Sequence, residues 1–292
     1  MSQTPPDAAE FVYRVRWAAR GIRPGAHTSR HAGMGQLFSG YASLLDYPDP
    51  RRLDVRASVR DPFGMLYTRV YRQRTAISLI VIADLSSSMR FGAKQRYIAD
   101  CVACAARSAH ACGDAFGFIG IGESSSGRPG RPRHQATYLA PSFRPGAAQT
   151  LARQLAEPLP PGRTVDDIEA MAVRLPTRRA LVLLLSDFHW QPPRLERMLA
   201  LLSRHDVVPV VLWDPREHAS LPRTGLLSLF DPETGRRRML FMRRALAERW
   251  RDAYAERRAH LVRCFHRSGR PPLFAGERFR PGAFTDYFLR SA

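Results

Sequence analysis

Two long apolar runs dominate the pattern of the chain, Ala76-Ile77-Ser78-Leu79-Ile80-Val81-Ile82-Ala83, broken only by Ser78, and Ala180-Leu181-Val182-Leu183-Leu184-Leu185. Neither alternates, so both read as strands buried on both faces, the signature of a parallel sheet. Around them the period switches between strand and helix. Strands are predicted over 76–84, 115–121, 180–186 and 207–213, with a short one near 136–140; helices are predicted over 94–111, 146–156, 165–174 and 193–204. Such alternation predicts an α/β fold, a doubly wound, mostly parallel sheet with helices on both faces. Residues 122–133 form a Gly/Ser/Pro/Arg stretch with no core signal.

The flanks read differently. Residues 1–75 are rich in Arg and Gly, with short alternating segments such as 12–17, and are predicted to be a small β-rich region. Residues 215–292 predict a hairpin turning at 231–235, a long helix over about 239–266 and an edge strand near 272–274. The chain therefore divides into 1–75, a core over 76–214, and a C-terminal part over 215–292 that completes the fold.

Composition narrows the classes. A hydrophobic content of 45% over 292 residues supports a substantial core. No apolar run reaches the roughly 18–20 residues that span a bilayer. The first residues lack a charged and then apolar leader pattern, so the expected location is the cytoplasm. Cys101 and Cys104 form a C-x-x-C inside the 94–111 helical pattern, where small buried thiols explain them better than redox or zinc chemistry. The net charge is +19, and Lys94 is the only lysine among the 45 basic residues. A balance this basic favours anionic partners, so nucleic acid stands as an alternative partner. The arginines are scattered, however, and no nucleic-acid motif accompanies them.

The candidate chemistry lies where the two apolar runs end. Asp84-Leu85-Ser86-Ser87-Ser88 places a carboxylate and two alternate hydroxyls on one tight loop. Asp187 ends the second strand, and Thr164 opens a helical pattern whose first turn holds Asp166 and Asp167. Open α/β sheets bind ligands at the carboxyl ends of their strands, and hard cations such as Mg²⁺ take oxygen donors of this kind. Each residue also has an ordinary reading: Ser86, Ser88 and Thr164 as helix caps, Asp187 as a loop anchor. His189, beside Trp190, reads as a packed side chain rather than a ligand.

Together Asp84, Ser86, Ser88, Thr164 and Asp187 resemble the metal-ion-dependent adhesion site of von Willebrand factor A domains, in order and in placement. A second resemblance lies upstream. The segment Asp46-Tyr47-Pro48-Asp49-Pro50-Arg51-Arg52-Leu53-Asp54-Val55-Arg56-Ala57-Ser58-Val59-Arg60 is similar to one found in bacterial von Willebrand A proteins of unknown function encoded beside MoxR-type AAA+ ATPases. Arg51, Arg52, Asp54, Ser58 and Arg60 match that pattern; Val55 stands where it has tryptophan, and an Arg-rich stretch over 69–74 replaces its acidic run. The resemblance implies Mg²⁺, with Mn²⁺ or Ca²⁺ as alternatives, held by the five residues. It implies reversible adhesion rather than enzymatic turnover: an adaptor working with a MoxR-type AAA+ ATPase on a client that presents an Asp or Glu carboxylate, in maturation or metallation of that client. A metal-dependent hydrolase is a further alternative, weakened because no general base accompanies Asp84 in the sequence.

Overall fold

The computed structural model describes residues 10–19, 23–122, 138–157, 168–218, 222, 224–230 and 236–291. In chain order the elements are β1 (Pro24–Ser43), α1 (Val55–Val59), β2 (Tyr67–Thr75), β3 (Ser78–Asp84), α2 (Lys94–Ala111), β4 (Ala115–Ile121), β5 (Tyr138–Ser142), α3 (Gly146–Ala156) and α4 (Ile168–Arg174). They continue with β6 (Leu181–Ser186), α5 (Pro192–Leu202), β7 (Asp206–Val211), α6 (Pro215–His218), β8 (Gly225–Phe230), β9 (Arg237–Met242), α7 (Arg244–Arg267), β10 (Leu273–Phe274) and α8 (Pro281–Arg290). The chain separates into two compact units, one of residues 15–77 with 112–114, the other holding the remainder.

The larger unit is built on a six-stranded sheet in the order β10-β7-β6-β3-β4-β5. All neighbours are parallel except β5, which runs antiparallel to β4 at one edge. The α/β sheet read from the sequence is present. From β3 the chain moves outward through β4 to β5, then returns to the other side of β3 as β6 and moves outward again through β7 to β10. The switch point therefore falls between β3 and β6, where the two long apolar runs lie side by side with Leu79 opposite Leu181 and Ala83 opposite Leu185.

Successive side chains of a strand point to opposite faces. Ile80, Ile82, Val182 and Leu184 join one buried cluster with Leu195 and Met198 of α5 and Leu261 and Phe265 of α7. The alternate residues Leu79, Val81, Leu181 and Leu183 are equally buried on the other face. There α2 presents Cys101, Cys104 and Ser108, all fully buried. Burial pushes both thiols up, Cys104 to about 11, so they stay protonated packing groups.

Two local expectations are corrected. Residues 12–17 are not a strand; Phe11 and Tyr13 instead pack on Phe284 and Phe288 of α8, with the Phe11 and Phe284 rings 5.1 Å apart. The long helix begins at Arg244 rather than about 239, because Arg237–Met242 pairs with Gly225–Phe230 as the second strand of a hairpin. The turn of that hairpin, 231–235, and the 123–133 part of the Gly/Ser/Pro/Arg stretch lie outside the described residues, as does the predicted helix start at 165–167.

The smaller unit is an antiparallel ribbon of β1 and β2, with four register irregularities. Asp54 caps α1 through Ala57 N and also accepts from Arg69 Nε at 2.7 Å and from Tyr41 Oη. These bonds, the backbone one first, hold its carboxyl down to about 2. His27 Nε2 lies 2.7 Å from Asp114 Oδ2 in the same unit.

Candidate functional site

The site stands at the carboxyl ends of β3 and β6, on either side of the switch point. Asp84 is the last residue of β3 and is wholly buried. Its Oδ1 accepts from Ser86 N at 3.0 Å, which folds the loop back over the strand end. Its Oδ2 accepts from Ser186 Oγ at 2.8 Å and from Trp190 Nε1 at 3.1 Å. Ser186 is the next residue in register on β6, so the first bond extends the pairing of the two strands into their side chains.

Ser86 precedes a short 3-10 turn, Ser87–Arg90, but its side chain makes no capping bond to it. Its Oγ lies instead 3.2 Å from Ser88 Oγ. The Ser88 hydroxyl favours the charged form of Asp187, and the Ser86 hydroxyl that of Asp84. Asp84, Ser86, Ser88 and Asp187 thus gather oxygen-bearing side chains from two loops. Thr164 lies outside the described residues, as do Asp166 and Asp167.

The β6 loop is held tightly. Phe188 has φ 51°, and it is the one non-glycine residue with positive φ among those described. A bulky side chain reaches that region only when its surroundings force it. Here Phe188 N donates to Ser186 Oγ, its ring packs on Phe265 at 5.0 Å, and Arg257 from α7 donates to the carbonyls of Phe188 and Trp190. His189 stacks on Trp213 and meets Tyr254 edge-on, the packed role expected of it.

Lys94, at the start of α2, was not among the expected site residues. Its side chain is 4% exposed, and its ammonium donates to Asp187 Oδ2 at 3.2 Å and to Glu217 Oε1 of α6 at 2.6 Å. Glu217 itself is positioned by Trp250 Nε1, which donates to its carbonyl at 3.0 Å. The electrostatics of the two aspartates diverge accordingly. Burial and the neighbouring charge of Asp187 push Asp84 up to about 6. Burial pushes Asp187 up too, but Lys94, His189 and the bonds from His189 N and Ser88 overcome it and hold its carboxyl below the ordinary range. Asp84 is therefore the member of the pair that takes a proton first.

Among the described residues no cluster of three or more His, Cys, Asp or Glu side chains is placed to hold a metal ion. Any cation here depends on hydroxyls and water as well as carboxylates. The two serine hydroxyls fit that chemistry: adjacent ligands of a Mg²⁺ octahedron with bonds of about 2.0–2.1 Å lie roughly 2.9 Å apart, close to the 3.2 Å between Ser86 and Ser88. The donor set is all oxygen, as hard cations require, and one of its carboxylates is already engaged by an ammonium.

A switch-point site on a sheet of this order, with an antiparallel edge strand, defines an open, mostly parallel α/β protein. The chain belongs to the family described as protein of unknown function DUF58, whose pattern matches residues 48–260. It is 41% identical over 103 residues to a Paracoccus denitrificans protein described as uncharacterized and lying in the moxR 3′ region, an alignment covering 35% of this chain and 98% of that protein. It is also 33% identical over 133 residues to the uncharacterized protein MAV169 of Mycobacterium avium, covering 43% of this chain and 76% of the relative. Among solved structures, BatB from Bacteroides thetaiotaomicron matches 74% of this chain and 98% of its own, at 13% identity and a TM-score of 0.40. A von Willebrand factor type A protein from Catenulispora acidiphila matches 64% of this chain and 43% of its own, at 17% identity and a TM-score of 0.31. Among the described residues no helix is long and apolar enough to cross a membrane.

Proposed function

We propose that this chain is a metal-dependent protein-interaction module that works with a MoxR-type AAA+ ATPase, as an adaptor in the maturation or metallation of a client protein. The observation that carries the reading is the gathering of Asp84, Ser86, Ser88 and Asp187 at the carboxyl ends of β3 and β6, with Ser86 N on Asp84 and the two serine hydroxyls 3.2 Å apart, where open α/β sheets place their ligands. The relative in the moxR 3′ region supplies the choice of ATPase.

Asp84, Ser86, Ser88 and Asp187 would hold a dication, with Asp84 oriented by Ser186 and Trp190 and with Thr164 as the expected fifth residue. Such an ion, Mg²⁺ first and Mn²⁺ or Ca²⁺ as alternatives, would supply an open position for a carboxylate of the partner. The protein residues do the rest. Ser186 and Trp190 fix the Asp84 carboxylate in one orientation. Arg257 locks the 187–190 loop, so Asp187 is presented without further ordering cost. Neutral hydroxyls leave part of the ionic charge uncompensated, which favours an anionic side chain from the partner. The reading is adhesion without turnover.

The test is capture of the purified MoxR-type ATPase from the same genome on immobilised chain, with Mg²⁺ and with chelator. Capture is expected with Mg²⁺, is lost with chelator, and is lost for Asp84→Ala in either buffer while the far-UV spectrum stays native. Equal capture in both buffers would rule out the metal-dependent mechanism.

A further inference from the structure

Lys94 is the only lysine in a chain with 45 basic residues, and it is buried in the one place where a second cation would meet a metal ion. Burying an ammonium is costly unless it is paired, and here the pairing is divided: 3.2 Å to Asp187 and 2.6 Å to Glu217. Lysine differs from arginine in exactly the property that matters for such sharing. Its charge is a compact point with three rotatable donors, and it can pass between acceptors without breaking a planar, two-bond geometry.

The acceptors are unequal. Asp187 Oδ1 already accepts from His189 N, so Lys94 takes the other oxygen, the one left for a cation. Glu217 makes the shorter contact through Oε1, and its Oε2 is buried with no hydrogen-bond partner. A buried carboxylate oxygen without a donor is expensive, and the ammonium of Lys94 already lies on the same carboxylate. The carbonyl of Glu217 is pinned by Trp250, so this spare acceptor stays in reach.

We propose that Lys94 is a tethered cation that competes with the divalent ion for Asp187, and that Glu217 is the carboxylate to which it withdraws. Together they set the affinity of the site for a dication. An ammonium and a dication cannot share one carboxylate oxygen without strong repulsion, so ion binding requires Lys94 to shift toward Glu217, where the unpartnered Oε2 receives it. The inference rests on the metal reading given above, and its two variants move in opposite directions.

The experiment is calorimetric titration of Mg²⁺, and separately Mn²⁺, into the full-length wild type, Lys94→Met and Glu217→Gln, each checked for its fold by circular dichroism. Lys94→Met removes the competitor and is expected to bind roughly tenfold more tightly or better. Glu217→Gln removes the place of withdrawal and leaves the ammonium wholly on Asp187, and affinity is expected to fall roughly threefold or more. Unchanged or weaker binding by Lys94→Met, with wild type still binding, overturns the competition and leaves the metal reading standing. Binding by Lys94→Met but not by wild type supports the competition and removes metal-dependent capture by the native chain. No binding by any of the three overturns both. Should Lys94→Met fail to fold, Glu217→Gln decides alone: unchanged or tighter binding overturns the proposal.

Discussion

The two ends of the same sheet each bury an ion pair, and they do so in opposite ways. At the amino end of β7, Arg270 grips Asp206 with two parallel bonds, Nε to Oδ1 at 2.6 Å and a terminal nitrogen to Oδ2 at 2.8 Å. Its remaining donors go to Ser291 Oγ and to the carbonyl of Arg14, and the guanidinium lies over the ring of Phe288. That pair is closed. At the carboxyl end, Lys94 meets Asp187 and Glu217 through one bond each, with two serine hydroxyls alongside and a glutamate oxygen unsatisfied. That arrangement has somewhere to go. A planar fork suits a joint that fixes the amino-terminal segment and α8 on the core; a rotatable point charge suits a site that rearranges.

The largest expected effect tests the closed end. Arg270→Met leaves Asp206 buried without its partner and should cost about 3–5 kcal/mol in denaturant unfolding. Added Mg²⁺ should recover none of that loss. Lys94→Met should also destabilise the fold, yet Mg²⁺ should restore much of the loss by taking over the neutralisation of Asp187. Equal recovery, or none in either variant, would erase the distinction between the two ends.

A smaller effect comes from pH at the open end. Asp84 has a folded value of about 6, above the roughly 3.9 of an unfolded chain. Between those values the folded state binds more protons, so the contribution of Asp84 to stability is greatest below about pH 4 and is lost as pH rises through about 6. In chelator, the stability of wild type relative to Asp84→Asn should therefore decline from pH 4 to pH 6.5. Asp54 supplies the opposite sign. With its carboxyl held down to about 2, its contribution is present above about pH 4 and fades as pH falls through about 2.

The smallest effect concerns the loop rather than the charges. Arg257→Lys keeps the positive charge but cannot hold the carbonyls of Phe188 and Trp190 together. A stability loss of about 1 kcal/mol is expected, with a measurable weakening of Mg²⁺ binding as Asp187 loses its fixed position. An unaltered affinity would show that the strained Phe188 conformation stands without Arg257.

The contrast also explains what could be read from the sequence. The strands leading to Asp84 and Asp187 were legible because central parallel strands leave a near-continuous apolar record. The helix of α8 was missed because its buried face rests on three residues, Phe284, Tyr287 and Phe288, within ten. The start of α7 was misplaced because β9 alternates weakly: Met239 and Phe241 are exposed while Met242 is buried, a pattern that also suits a helix face. Lys94 could not be read as a site residue from periodicity, since a charge in a first helical turn looks solvated. Its uniqueness among 45 basic residues was the available signal. Arg270 carried no such mark among so many arginines, and its burial follows only from tertiary packing.

Anomalous scattering from Mn²⁺ in crystals of the full chain addresses the central claim most directly. The account predicts one strong peak at the switch point, about 2.1–2.2 Å from the hydroxyls of Ser86 and Ser88, with the Lys94 ammonium drawn onto Glu217. A peak elsewhere, or none at saturating Mn²⁺ with Lys94 still on Asp187, would contradict it.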